Sequence, residues 1–242
     1  MQDYSGWRAR IGLIYMASST VMEPEFYAMS PDGVATCTIR TRLPKMNIAG
    51  LEQMTGSEEL ERCTAYLARA DLGVIAYGGT SATFLHGLYW DQRMQARMCA
   101  HSNGIPVTTT SSASIAALRA IGARRVSFVS PYVPEIVERG RQFFSAGGFD
   151  VLSADGMDID DDHAIGRIPV ERVYEYAKAC LHPDADAMFI SCTNLASIAV
   201  IDDLEHDLGI PVVSAVQATF WQCLRMTGLK DRPAGFGQLF SC

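Results

Sequence analysis

Two short stretches put reactive side chains where an α/β protein ends a strand. "GVIAYGGTSAT" (73–83) and "AMFISCTNLAS" (187–197) each run apolar and then turn through hydroxyl residues. The first turn carries Gly79, Thr80 and Ser81; the second carries Cys192 and Thr193. Small residues, hydroxyls and free backbone N–H groups at a strand-to-helix turn make an anion site suited to a carboxylate. Cys192 adds a nucleophile or proton donor, and at a helix N-terminus its thiolate is expected to be favoured by the dipole. Tyr132, in "VSPY", follows another strand and can donate its phenolic O–H to the same place. Packing is the ordinary fate of a cysteine, and it is the expectation for Cys37, Cys63, Cys99, Cys180, Cys223 and Cys242. Cys192 stands apart because it sits in a polar turn that has a counterpart. His86, in "FLHGLYW", is read as structural, and the "DIDDDH" run (158–163) as a solvated loop.

The elements that must position these residues alternate along the chain. "RIGLIYM", "LGVIAYG" and "IPVTTT" read as strands, and "SEELERCTAYLARA", "LYWDQRMQARMCAHSNG" and "SIAALRAIGA" as helices. The pattern then restarts. "RRVSFVSPY", "FDVLSA", "DAMFIS" and "IPVVSA" are strands, separated by the helices "PEIVERGRQFFSAGG", "VERVYEYAKACL" and "LASIAVIDDLEHDLG" and closed by "ATFWQCLRMTG". No element is assigned to 17–56. Arg10-Ile11 and Arg125-Val126 are offset by 115 residues, Gly79 and Cys192 by 113, and the two "GIPV" copies by 105. Three anchors in one order imply one α/β unit built twice. The expected fold is therefore α/β, with two pseudo-twofold-related lobes, each a mainly parallel sheet flanked by helices. Residues 1–118 with 214–242 are assigned to the first lobe and 119–213 to the second. Ligands sit beyond the carboxyl ends of parallel strands, so both turns are expected to face one cleft between the lobes.

The bulk numbers narrow the function. A net charge of −7 disfavours nucleic acid and anionic membrane, which reward a basic face. No apolar run approaches the length of a spanning helix, and no signal peptide is read at the N-terminus. The seven cysteines are scattered without a CxxC pair and the five histidines without HExxH spacing. Reduced thiols in the cytoplasm are thus expected, with neither a disulfide frame nor a metal site. Neither GxGxxG nor GxxxxGK[ST] follows any strand, which disfavours nucleotide binding.

Seven segments, "STVMEPEF", "YGGTSAT", "VSPY", "IGRIPVERV", "ISCTN", "GIPVVSAVQATFWQCLR" and "GFGQLF", span nearly the whole chain. In them the sequence resembles the aspartate/glutamate racemase superfamily, in its branch of maleate cis-trans isomerases and arylmalonate decarboxylases. The resemblance implies two similar lobes, an active site between them, and no cofactor or metal. It also implies a small carboxylic acid as substrate. Isomerases and racemases of this kind place a cysteine on each lobe. Here the second is Cys192 and the first position is Gly79, as in the decarboxylases. In that branch Thr80, Ser81, Tyr132 and the N–H after the cysteine would form a dioxyanion hole. An apolar pocket would destabilise the departing carboxylate, and Leu43, Met46, Ile48, Ala82 and Ile165 fall at the matching positions. Ser19 and Asp162 stand where the isomerases carry asparagines, and the decarboxylase is apolar near the second. An aspartate in a loop ordinarily faces solvent. If Asp162 lines the pocket, it would repel a bare dicarboxylate and favour a substrate with an amine or other polar donor. The leading expectation is a decarboxylase of an α-substituted malonate-like acid, protonated by Cys192. A cis-trans isomerase or racemase is the runner-up, and a small-acid binding protein without turnover is the third reading.

Overall fold

Runs such as "VIAY" and "AMFI" have no polar face to offer water, so they become interior strands of sheets covered on both sides. The computed structural model describes residues 5–242 and contains two such sheets. Strands β1 (Ala9–Met16), β2 (Val34–Thr41), β3 (Val74–Gly78) and β4 (Val107–Thr109) lie in the order β2-β1-β3-β4. Strands β5 (Arg125–Ser130), β6 (Asp150–Gly156), β7 (Ala187–Ile190) and β8 (Val212–Ser214) lie in the order β6-β5-β7-β8. Every pairing is parallel.

The two sheets share their register as well as their order. Ile11 pairs with Val74 in the first and Val126 with Ala187 in the second. Ile75 pairs with Val107, and Met188 with Val212. The offsets of 115, 113 and 105 found in the sequence are those of these paired residues. The edge strands β2 and β6 are half-buried along most of their length, whereas β3 and β7 are buried throughout. Strand β2 corrects the sequence reading, which placed no element there. Its run "VATCTIRT" lacks the continuous apolar signature because one side of an edge strand stays wet.

Eleven helices cover the sheets among the described residues: α1 (Met22–Met29), α2 (Ile48–Gly56), α3 (Glu59–Leu67), α4 (Thr80–Phe84), α5 (Leu88–His101), α6 (Thr110–Ala120), α7 (Pro134–Ala146), α8 (Asp162–Ile165), α9 (Val170–Ala179), α10 (Ile201–Leu208) and α11 (Ala215–Met226). The fourth strand of each sheet runs straight into a capped helix. Thr109 accepts a bond from Ser112 N at 3.2 Å, and Ser214 accepts one from Gln217 N at 3.2 Å. These helices lock the lobes together. Although α11 follows β8, it packs against β3, β4, α1 and α6. Arg8 and Asp231, 2.7 Å apart, tie the loop after α11 to the start of the first sheet. Helix α6 reaches the other way, where Arg119 donates to the Gly147 carbonyl at 2.8 Å. Phe84 meets Tyr132 edge-on between the lobes, with ring centroids 6.1 Å apart. No helix among the described residues is long and apolar enough to cross a membrane.

Candidate active site

The two turns meet at the ends of β3 and β7. Thr193 Oγ1 donates to the Gly78 carbonyl at 3.1 Å, so the second turn is bonded directly to the first. A small, partly enclosed cavity of about 20 Å³ lies between them. Gly79, Thr80, Ser81 and Ala82 line it from the first lobe, and Tyr132, Cys192, Thr193 and Asn194 from the second. That volume holds about one water.

The first turn is held by its own hydroxyls. Thr83 Oγ1 donates to the Gly79 and Thr80 carbonyls at 2.9 and 3.0 Å, and Ser111 Oγ donates to Thr80 O at 3.2 Å. The first helical bond here runs from Thr83 N to Gly79 O, 3.0 Å. The N–H groups of Thr80, Ser81 and Ala82 thus precede any acceptor within α4. Thr80 Oγ1 and Ser19 Oγ are buried with no partner among the described residues. Both line the cavity, so both are free to bond to a guest. The Thr193 hydroxyl differs, because its hydrogen is committed to Gly78.

Cys192 follows β7 with φ of 106°, a left-handed conformation that costs a residue with a Cβ about 1–3 kcal/mol. Its Sγ accepts from Asn194 N at 3.3 Å. The expectation of a dipole-favoured thiolate is overturned. Residues 191–197 are a turn, a 3₁₀ segment covers Ile198–Val200, and α10 begins only at Ile201. Burial is the larger effect and nearby Asp162 adds to it, so the Cys192 thiol is pushed up to about 12. The group at rest is a thiol with its proton on. The Tyr132 phenol, beside Cys192, Ser191 and Thr80, is likewise pushed well above its ordinary range by burial first and Cys192 second. It stays a donor.

Asp162 settles inward. Asp161 is exposed and caps α8, accepting from Ala164 N at 2.6 Å. Its neighbour Asp162 lines the cavity, with Oδ2 buried and unpartnered. The acidic run is therefore not wholly a solvated loop. Of the expected apolar wall, Leu43, Met46 and Ala82 line the cavity, but Ile48 and Ile165 do not. Ile165 is fully buried at the end of α8, and Ile48 opens α2 half-buried. Both belong to the packing around the site. His86 lies outside it, 3.2 Å from Glu52 and stacked edge-on to Trp90.

Met16, Leu51 and Asn194 also line the cavity and were not singled out in the sequence. Asn194 joins three segments: its Oδ1 accepts from Thr20 N at 3.0 Å, and its Nδ2 donates to Asp162 O at 2.7 Å. Gly166 permits this closure, since a Cβ there would lie 3.0 Å from Asn194 Oδ1 and 3.1 Å from Thr20 Oγ1. Glu25 of α1 is buried and accepts from Ser197 N and Ile198 N at 2.7 and 3.2 Å. It anchors the far end of the Cys192 turn, and burial raises its pKa to about 7. The signals for both lay inside "ISCTN" and "MEPEF". Among the described residues no group of three His, Cys, Asp or Glu side chains is placed to hold a metal ion.

Two like lobes thus close on one buried thiol and a set of hydroxyl and amide groups, an arrangement suited to a small carboxylic acid. The model of the arylmalonate decarboxylase family matches residues 11–240, and the chain belongs to that family. A maleate isomerase of Geobacillus stearothermophilus is 28% identical over 243 residues, covering 96% of this chain and 97% of its own. The arylmalonate decarboxylase of Bordetella bronchiseptica is 30% identical over 178 residues, covering 72% of this chain and 73% of its own. Among solved structures, a Cys-to-Ser mutant of Nocardia farcinica maleate cis-trans isomerase with a covalently bound succinylcysteine intermediate matches with a TM-score of 0.90. It is 26% identical, over 96% of this chain and 98% of that one.

Proposed function

We propose that the protein decarboxylates an α-substituted malonate-like acid without a cofactor, through an enediolate that Cys192 protonates. The observation that carries this reading is the single thiol: Cys192 lines the cavity on one lobe, and Gly79 occupies the facing turn. One carboxylate of the substrate would accept bonds from Thr80, Ser81, Tyr132 and the Thr193 N–H. The other would lie against Leu43, Met46 and Leu51, where no cation compensates its charge. Desolvation there favours loss of that charge. The Cα–carboxylate bond breaks, CO2 leaves, and its electron pair passes into the enediolate. Donors aimed at the two oxygens stabilise the developing charge, typically about 2.7–4 kcal/mol for each well-placed donor. The Sγ proton then moves to Cα, and the thiolate recovers a proton from water. A thiol pushed up to about 12 suits this acid role, because the proton is present when the carbanionic carbon forms.

Cis-trans isomerisation is the second reading, favoured by relatives of 27–29% identity that are maleate isomerases. In the Nocardia isomerase mutant one cysteine is serine, so the succinyl adduct rests on another. That chemistry draws on two cysteines, and this cavity offers one. Proton NMR in D2O with phenylmalonate, other 2-substituted malonates and, separately, maleate decides between the readings. Loss of CO2 with one deuterium installed at Cα is expected. Fumarate formed from maleate, with the malonates untouched, would overturn the decarboxylase.

A further inference from the structure

The cavity is lined by one carboxylate among the described residues, that of the half-buried Asp162, and its inner oxygen has no partner. Asp162 is the only acidic or basic residue in the lining among the described residues, and its Oδ2 is buried without a hydrogen bond. A buried carboxylate oxygen left unpaired costs free energy unless something answers it. No hydrogen-bond donor among the described residues does. Asp161 takes the capping bond that an aspartate at this helix start would ordinarily serve. Asn194 Nδ2 donates to the main-chain carbonyl of Asp162, which fixes the backbone and leaves the carboxylate pointing inward. Two other polar lining residues, Ser19 and Thr80, hold unpartnered hydroxyls of their own. Arg40 is turned away: it donates to the carbonyls of Ala17 and Ser19 at 3.1 and 2.8 Å and pairs with Glu23 at 3.2 Å.

From this geometry we infer that the substrate carries a hydrogen-bond donor, best an ammonium group, on its α-substituent, and that Asp162 receives it. This rests on the decarboxylase reading and narrows it. The donors at the turns bind the retained carboxylate, the apolar wall takes the departing one, and Asp162 selects the third substituent. A purely hydrocarbon substituent would leave Oδ2 buried and unanswered, and a second anion beside it would be repelled. An ammonium answers it with a charge-assisted bond, the strong kind in a water-poor site. Discrimination of this type is large when the rejected analogue leaves a buried polar group unpaired.

The test uses an isosteric pair, 2-(2-aminoethyl)malonate and 2-propylmalonate, with wild type, Asp162→Asn and Asp162→Leu. Wild type is expected to favour the amino substrate in kcat/KM by about tenfold to a hundredfold. Asp162→Asn, close to isosteric, should bring the ratio to near one, mainly through KM, and Asp162→Leu should reverse it. A wild-type ratio at or below one overturns the inference. So does an unchanged ratio in Asp162→Asn. Binding of the corresponding products, 4-aminobutanoate and pentanoate, separates this from the reaction itself. If neither malonate is turned over, the decarboxylase reading falls. Preference for 4-aminobutanoate that disappears in Asp162→Asn would then still support the Asp162 site, and equal binding of both products would refute it.

Discussion

The turn after β3 and the turn after β7 occupy the same place in two sheets of the same order and register, yet they are held in different ways. The first is relaxed and self-bonded, its carbonyls taken by Thr83 and Ser111. The second is strained at Cys192 and tied to other segments, through Asn194 to Thr20 and Asp162 and through Ser197 to Glu25 of α1. A repeated fold thus presents two equivalent positions to one cavity and assigns them unequal work. In the proposed reaction the glycine side would supply backbone and hydroxyl donors for charge. The cysteine side would supply the proton, from a backbone conformation that a residue with a Cβ rarely adopts.

Making the two turns alike breaks the comparison most forcefully. A Cβ at position 79 would lie 2.9 Å from Met16 Cε and about 3.0 Å from the Tyr77 ring. Met16 is the flexible end of a side chain and can yield, so Gly79→Cys is expected to fold with a loss of roughly 1–3 kcal/mol. It should gain α-proton exchange on an α-aryl acid and lose the optical purity of any decarboxylation product. Chiral chromatography and proton exchange in D2O check the chemistry, and thermal unfolding checks the cost. A variant whose product stays optically pure and whose α-proton does not exchange would refute the facing geometry.

A smaller effect sharpens the contrast through Glu25. Its pKa of about 7 lies above its ordinary value of 4.5, so the fold favours the neutral acid. The stabilisation is complete below about 4.5 and is lost as pH rises through about 7. Glu25→Gln keeps an oxygen for the Ser197 and Ile198 N–H groups and removes the titration. Between those values the wild type should lose stability relative to the variant by at most about 1.4 kcal/mol per pH unit. Chemical denaturation across that range measures it. Parallel curves for the two proteins would mean that Glu25 does not titrate there.

Much of this arrangement was legible in the chain, for a reason that also marks where legibility ends. Interior parallel strands write themselves as continuous apolar runs, and a turn at their carboxyl end is a local event. The strands β3 and β7, the doubled unit, and the pairing of Gly79 with Cys192 could all be read in one dimension. Strand β2 could not, because an edge strand keeps a mixed composition. The inward turn of Asp162 rests on Asp161 taking the cap and on Asn194, 32 residues away, holding its carbonyl. The thiol's protonation is not legible there either: the helix whose dipole would lower it starts nine residues later, and burial, a property of the whole fold, decides it.

The central claim is that one thiol delivers one proton to one face of the substrate. The most direct measurement is the configuration and deuterium content of the α-carbon when an α-substituted malonate reacts in D2O, with Cys192→Ala beside the wild type. A single enantiomer carrying one deuterium is expected, with turnover lower by roughly 10²–10⁴-fold in Cys192→Ala and product affinity retained. A racemic product from the wild type, or a Cys192→Ala variant that decarboxylates at the wild-type rate, would contradict the account.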